Sequence, residues 1–155
     1  MYPVDFEARL EDARSRKNGA VNCIGATLYL LGIDEKEKCV DPRWSRARII
    51  RSFSGIGTIK DPQAEYPEKC IAVGIYSNKY QTLLHTGVVL PSRDAIVQRS
   101  AYGEPLEVIS LKDLIKSYRP QDFIEYGASM TYLAASGRQS TNWEKFTDKL
   151  HEWKM

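Results

Sequence analysis

The segment AVNCIGATLYLLG, residues 20–32, constrains the fold most: it is almost wholly apolar and about the length of a short helix, so it has to be buried on nearly every side. It predicts a central helix with Gly32 as its C-terminal cap. The texture then changes. From Tyr66 onward the chain breaks into short runs rich in β-branched and aromatic residues, CIAVGIY, LLHTGVVL and AIVQRSAY, divided by Ser77-Asn78-Lys79 and by Pro91-Ser92-Arg93-Asp94. These predict three antiparallel strands joined by tight loops. Helices first and an antiparallel sheet afterwards give an α+β domain, with N-terminal helices packed on a small antiparallel sheet.

The other segments fill in around that centre. Phe6, Leu10 and Ala13 are spaced as an amphipathic surface helix that ends near Asn18-Gly19. Asp41-Pro42 reads as an N-cap followed by proline at the first helical position, and RWSRARIIRSF continues in helical register. Gly55 and Gly57 end it, so the stretch 52–57 is expected to be a helix stop and a loop overhanging the site. It lacks the Gly-Lys-Ser/Thr ending of a phosphate-cradling loop. Arg43, Arg46, Arg48 and Arg51 read as a solvated basic face. Leu106 to Ile109 predicts a further strand, 111–118 a short helix and 123–126 an edge strand. Thr141 and Glu144 have capping-box spacing ahead of Trp143, Phe146, Leu150 and Trp153, which predicts a terminal helix.

At 155 residues the chain is long enough for one domain, 1–155, with one site. A charged fraction of 27% and a net charge of +2 provide no strong pull toward nucleic acid or membrane. The N-terminus lacks the apolar core of an export signal, and no apolar run has the length of a membrane span, so a cytoplasmic protein is expected, with export by a signal-less route left open. Cys23, Cys39 and Cys70 are odd in number and show no CxxC spacing, which indicates neither a disulfide framework nor a structural zinc site. No metal and no cofactor are called for.

A catalytic thiol needs a helix N-terminus or an imidazole to stabilise its thiolate. Cys23 opens the central helix, where unpaired backbone N–H groups would surround it and could also receive an oxyanion. Of the two histidines, His151 lies in the charged terminal segment. His85 interrupts an otherwise apolar strand, where an imidazole needs a reason to be present. Gln98, on the following strand, has the spacing to approach His85 and hold its tautomer. Taken singly, Cys23 also fits a packed core cysteine, His85 a hydrogen-bonded core histidine and Gln98 a surface residue. Cys39 and Cys70 read as an incidental surface thiol and a packing residue, while Tyr29, Tyr76, Tyr80 and Tyr102 could line a groove.

The pattern resembles the papain-like NlpC/P60 family of cysteine peptidases and amidases. Asn22-Cys23-Ile24-Gly25 is similar to the Asp-Cys-Ser-Gly element that opens the family's nucleophile helix. Pro67 to Val73 matches its proline-led strand, His85-Thr86-Gly87-Val88-Val89-Leu90 its His-x-Gly strand, and Ile96-Val97-Gln98-Arg99 the strand bearing the third polar residue. Asn22, Ile24 and Gln98 stand where the family more often has Asp, Ser and His, and 34–65 is a long link between helix and first strand. The resemblance implies Cys23 as nucleophile, His85 as base and Gln98 as its orienting partner, acting on an amide through a thioester. The expected partner is a peptide or amide substrate, peptidoglycan fragments among the candidates, with no nucleic acid and no membrane span. An inhibitory protein partner is left open. Transfer to an amine or lipid acceptor, and a non-catalytic binding module on the same scaffold, are the rival readings.

Overall fold

The computed structural model describes residues 2–16, 20–43 and 45–136. The predicted terminal helix, His151 included, lies outside the described residues, and so does the Asn18-Gly19 stop.

Among the described residues six antiparallel strands form one sheet. They are β1 (Phe53–Thr58), β2 (Ala72–Ser77), β3 (Thr82–Val89), β4 (Ile96–Arg99), β5 (Leu106–Ile109) and β6 (Ala128–Ala135), in the order β1-β6-β2-β3-β4-β5. Helices α1 (Phe6–Ser15), α2 (Cys23–Leu30) and α3 (Arg46–Ser52) cover one face. On the opposite face α4 (Leu111–Lys116) and α5 (Pro120–Glu125) pack against Val73, Ile75, Val89 and Met130. The domain is therefore α+β, as the order of helical and strand-like segments predicts.

Every residue of α2 is buried, which is what its uniform apolarity requires. Gly32 follows its C-cap at φ +76°, the left-handed turn that a glycine makes without a Cβ clash. Polar contacts lock the N-terminal half onto the sheet. Arg99, on β4 and 2% exposed, donates to both Glu37 carboxylate oxygens at 2.8 Å and to the carbonyls of Ala13 and Glu104 at 2.9 Å. A charge this deep is tolerated because its donors are met from α1, the loop after α2 and the turn after β4.

Four expectations are corrected. The helix predicted from Pro42 begins only at Arg46. Asp41 Oδ1 accepts the Arg43 N–H at 2.8 Å in a local turn, so Ser45 rather than Asp41 takes the N-cap position. The stretch expected as an overhanging loop is largely edge strand β1: its glycines accommodate a register shift against β6, and it lies across the sheet from β4 and β5. Residues 123–126 form the end of α5 and its cap rather than an edge strand, because Pro120 starts a helix and Asp122 Oδ2 accepts the Arg119 N–H at 3.0 Å. Arg48 does not face solvent freely, since it bridges to the buried Asp34 carboxylate. The sheet also has an interior strand, β6, between β1 and β2, beyond the strands read from the sequence.

Candidate active site

Asn22 sets the start of α2. Its extended backbone makes it the N-cap, and its Oδ1 accepts from the Gly25 N–H at 2.9 Å and the Val40 N–H at 3.2 Å, while Nδ2 donates to Val40 O at 2.7 Å. An amide accomplishes both tasks: it caps the helix and ties down the loop after α2. Gly25 makes the approach sterically feasible, since a Cβ there would lie 1.6 Å from the Lys38 carbonyl oxygen. Asn22-Cys23-Ile24-Gly25 is thus a cap, a thiol, a core residue and a gap for a crossing loop.

Cys23 is the first residue of α2 and is 8% exposed. Burial pushes its thiol up from the usual range, opposed by the backbone N–H groups of Thr86, Ile24 and Cys23 itself, which favour the thiolate. The sequence expectation of a thiol held low by the helix end is corrected, because burial outweighs those backbone donors. Strand β3 meets the helix at the same point. Thr86 Oγ1 donates to Thr27 Oγ1 at 2.8 Å and lies 3.4 Å from Cys23 O.

His85 precedes Thr86 and faces the other side of β3. Its ring Nε2 is 2.5 Å from Gln98 Oε1. Gln98 in turn donates from Nε2 to Glu107 Oε1 at 2.9 Å, across the β4–β5 pair in which the two residues are opposite one another. That chain fixes the protons. A carboxylate only accepts, so the Gln98 amide nitrogen points to Glu107 and its carbonyl oxygen points to His85; Nε2 must then carry the hydrogen, and Nδ1 is the lone-pair nitrogen. Gly87 leaves room for this contact: a Cβ on it would lie 2.6 Å from Ile96 Cγ2 and 3.4 Å from Gln98 Cβ. Burial moves the His85 pKa below its ordinary value of 6.5, opposed by the bond to Gln98 and by the Glu107 charge. The ring is therefore neutral near neutral pH.

His85 and Gln98 are thus brought into direct contact, and the Cys23 backbone is brought beside the residue following His85. Among the described residues no hydrogen bond joins Cys23 Sγ to His85. Two further residues belong to the site. Glu107, whose role depends on strand register, was not recognisable from spacing. Tyr118, just beyond α4, stands with its ring centroid 6.0 Å from that of His85; its phenol is pushed up to about 12 by burial, then by the Cys23 thiolate once that thiol has ionised and by the Asp122 charge, so it keeps its proton. The short helix expected over 111–118 is present as α4, but that expectation carries no sign of the turn that aims Tyr118.

Two hollows flank the site. One, of about 400 Å³, is bounded by His85, Tyr118, Ile75, Leu84 and Phe123. The other, of about 500 Å³, runs past Asn22, Cys39, Asp41, Arg43, Tyr80 and Tyr102. Leu84 and Tyr126 contribute to both. Of the four tyrosines read as groove candidates, Tyr80 and Tyr102 line this groove, Tyr76 lines a separate hollow beneath α3, and Tyr29 is buried with its hydroxyl donating to Asp12 Oδ2 at 2.6 Å. Cys70 is buried ahead of β2 and Cys39 is exposed. Among the described residues no helix is long and apolar enough to cross a membrane, and no group of three or more His, Cys, Asp or Glu is gathered as for a metal ion. Comparisons with protein-family models, curated proteins and solved structures return no match.

Proposed function

We propose that the chain is a thiol hydrolase, a divergent NlpC/P60-like peptidase or amidase in which Cys23 is the nucleophile, His85 the base and Gln98 its positioning residue. The observation that carries this reading is the Glu107–Gln98–His85 chain. It presents a neutral imidazole whose basic Nδ1 has no hydrogen-bond partner among the described residues, on the strand whose next peptide N–H faces the Cys23 thiol. A core histidine held only for packing has no need of a two-residue relay to one tautomer.

In the first step Cys23 Sγ bonds to the amide carbonyl carbon while its proton passes to His85 Nδ1. The carbon–nitrogen bond then breaks, and the leaving nitrogen takes that proton. Water next attacks the thioester, giving one proton through His85 to the sulfur as the carbon–sulfur bond breaks. The neutral resting pair makes this a general-base mechanism, with proton transfer coupled to attack rather than a preformed thiolate. The backbone N–H groups of Thr86, Ile24 and Cys23, which favour the thiolate, are the donors at hand for the developing oxyanion.

The test is cleavage of short peptide amides by the purified chain, with products identified by mass. Release of amine and free acid by the native protein, lost in Cys23→Ala and in His85→Ala, supports the reading. Cleavage that persists in Cys23→Ala overturns it. The acyl group appearing on an added amine instead of water would make the protein a transferase at the same residues.

A further inference from the structure

We propose that the 400 Å³ cavity beside His85 is the acyl-binding subsite, and that it selects an amide or ester whose acyl half is a flexible alkyl or an aromatic group. This inference rests on the thiol-hydrolase reading and names the substrate class that reading leaves open.

The walls carry the inference. Ile75, Leu84, Phe123 and Ala128 present only hydrocarbon, and Tyr118 and Tyr126 add ring surface. Two of the polar groups that remain are already engaged. His85 Nε2 is bonded to Gln98, and the Asp122 carboxylate accepts the Arg119 backbone N–H at 3.0 Å and lies 3.4 Å from the Arg119 guanidinium. A zwitterionic or polyhydroxylated acyl group would exchange water for walls that are mostly hydrocarbon and offer few groups to replace its hydrogen bonds. An apolar group loses nothing there and removes hydrocarbon from water. The volume is in the range of cavities that hold small organic ligands.

Position decides which half of the substrate lies here. His85 is itself part of the wall, with the Tyr118 ring centroid 6.0 Å from its own, so a group in the cavity lies next to the base. The second hollow is lined by Asn22, the residue before Cys23, and has Asp41 and Arg43 paired at 2.8 Å, with Tyr80 and Tyr102 along it. A polar leaving group suits that hollow, and the apolar acyl chain suits the cavity. Leu84 and Tyr126, common to both, form the ridge the scissile bond would cross.

The experiment follows acylation of Cys23 in the full chain by p-nitrophenyl esters of increasing acyl length, acetyl to octanoyl and including phenylacetyl. Adduct formation is read by mass, and each rate is divided by that of the same ester with free cysteine. The octanoyl and phenylacetyl esters are expected to acylate Cys23 about 10-fold or more faster than acetyl. In Ala128→Phe, which fills the cavity from β6, that ratio should fall toward one; Leu84→Ala offers a second alteration of the wall should the first disturb folding. Equal normalised rates in the native chain, or a ratio unchanged in folded Ala128→Phe and Leu84→Ala, overturn the acyl-subsite inference alone. Absence of any Cys23 adduct with every ester overturns the thiol-hydrolase reading and this inference with it.

Discussion

Gln98 Oε1 lies 2.5 Å from His85 Nε2 because the other end of the same amide is held by Glu107 at 2.9 Å, so a residue at the solvent-facing rim of β5 orients a buried imidazole. Glu107→Ala should release the amide, let the ring turn and lower the rate by about 10 to 100-fold, since small misplacements of a reacting group cost on that order. Glu107→Gln retains an acceptor and removes the charge. As the Glu107 charge favours the imidazolium, its loss should move the acid limb of the rate profile to lower pH. A pH–rate profile of each variant checks both; an unmoved midpoint in Glu107→Gln would show that the charge does not reach the base.

The directions of the two pKa shifts give the sign of the pH dependence. With the Cys23 thiol above its ordinary 9.0, direct alkylation by iodoacetamide should rise with pH through and beyond 9.0, without a plateau near neutrality. His85 folds with a pKa below 6.5, so its burial as a neutral ring contributes stability that is present above 6.5 and lost as pH falls through the folded-state value. Chemical denaturation between pH 7 and 5 should therefore show the native chain losing stability more steeply than His85→Gln.

Gly25→Ala places a methyl group against the Lys38 carbonyl and should destabilise the domain by about 1–3 kcal/mol as the loop shifts. Because the same loop is held by Asn22, the helix start moves with it, and activity should fall in molecules that remain folded. Thermal melts paired with activity per folded molecule separate the two effects. A variant with native melting and full activity would show that the loop yields freely.

Removing one side of the buried Arg99–Glu37 pair strands the other. Glu37→Ala should cost about 3–5 kcal/mol in a denaturant titration. The loss belongs to the link between α1, the loop after α2 and β4, which leaves the Gln98–His85 contact in place in the folded fraction.

Much of this arrangement is written in local pattern. The uniform apolarity of 20–32 demands a buried helix, and the β-branched runs around His85 and Gln98 demand adjacent strands, so these two residues could be placed near each other before any coordinates. Glu107 could not, since its role comes from standing opposite Gln98 in a register that no short window encodes. Strand β1 looked like a loop because glycine-rich edges carry little strand propensity, and α5 looked like a strand because Phe123 and Ile124 outweighed the helix start at Pro120. The strand β6 was missed altogether: ASMTYLAA carries small residues whose burial depends on lying between β1 and β2. The state of the Cys23 thiol was misread for a similar reason, because burial is a property of the whole fold rather than of a helix end.

Whether His85 serves as base for Cys23 is read from the rate of Cys23 acylation by p-nitrophenyl acetate against pH. The native chain should reach a plateau once His85 is neutral, above a midpoint lower than 6.5, and should keep it through the neutral range; His85→Ala should lose the plateau and retain only the rise near and above 9.0. Superimposable profiles for the two proteins would contradict the account.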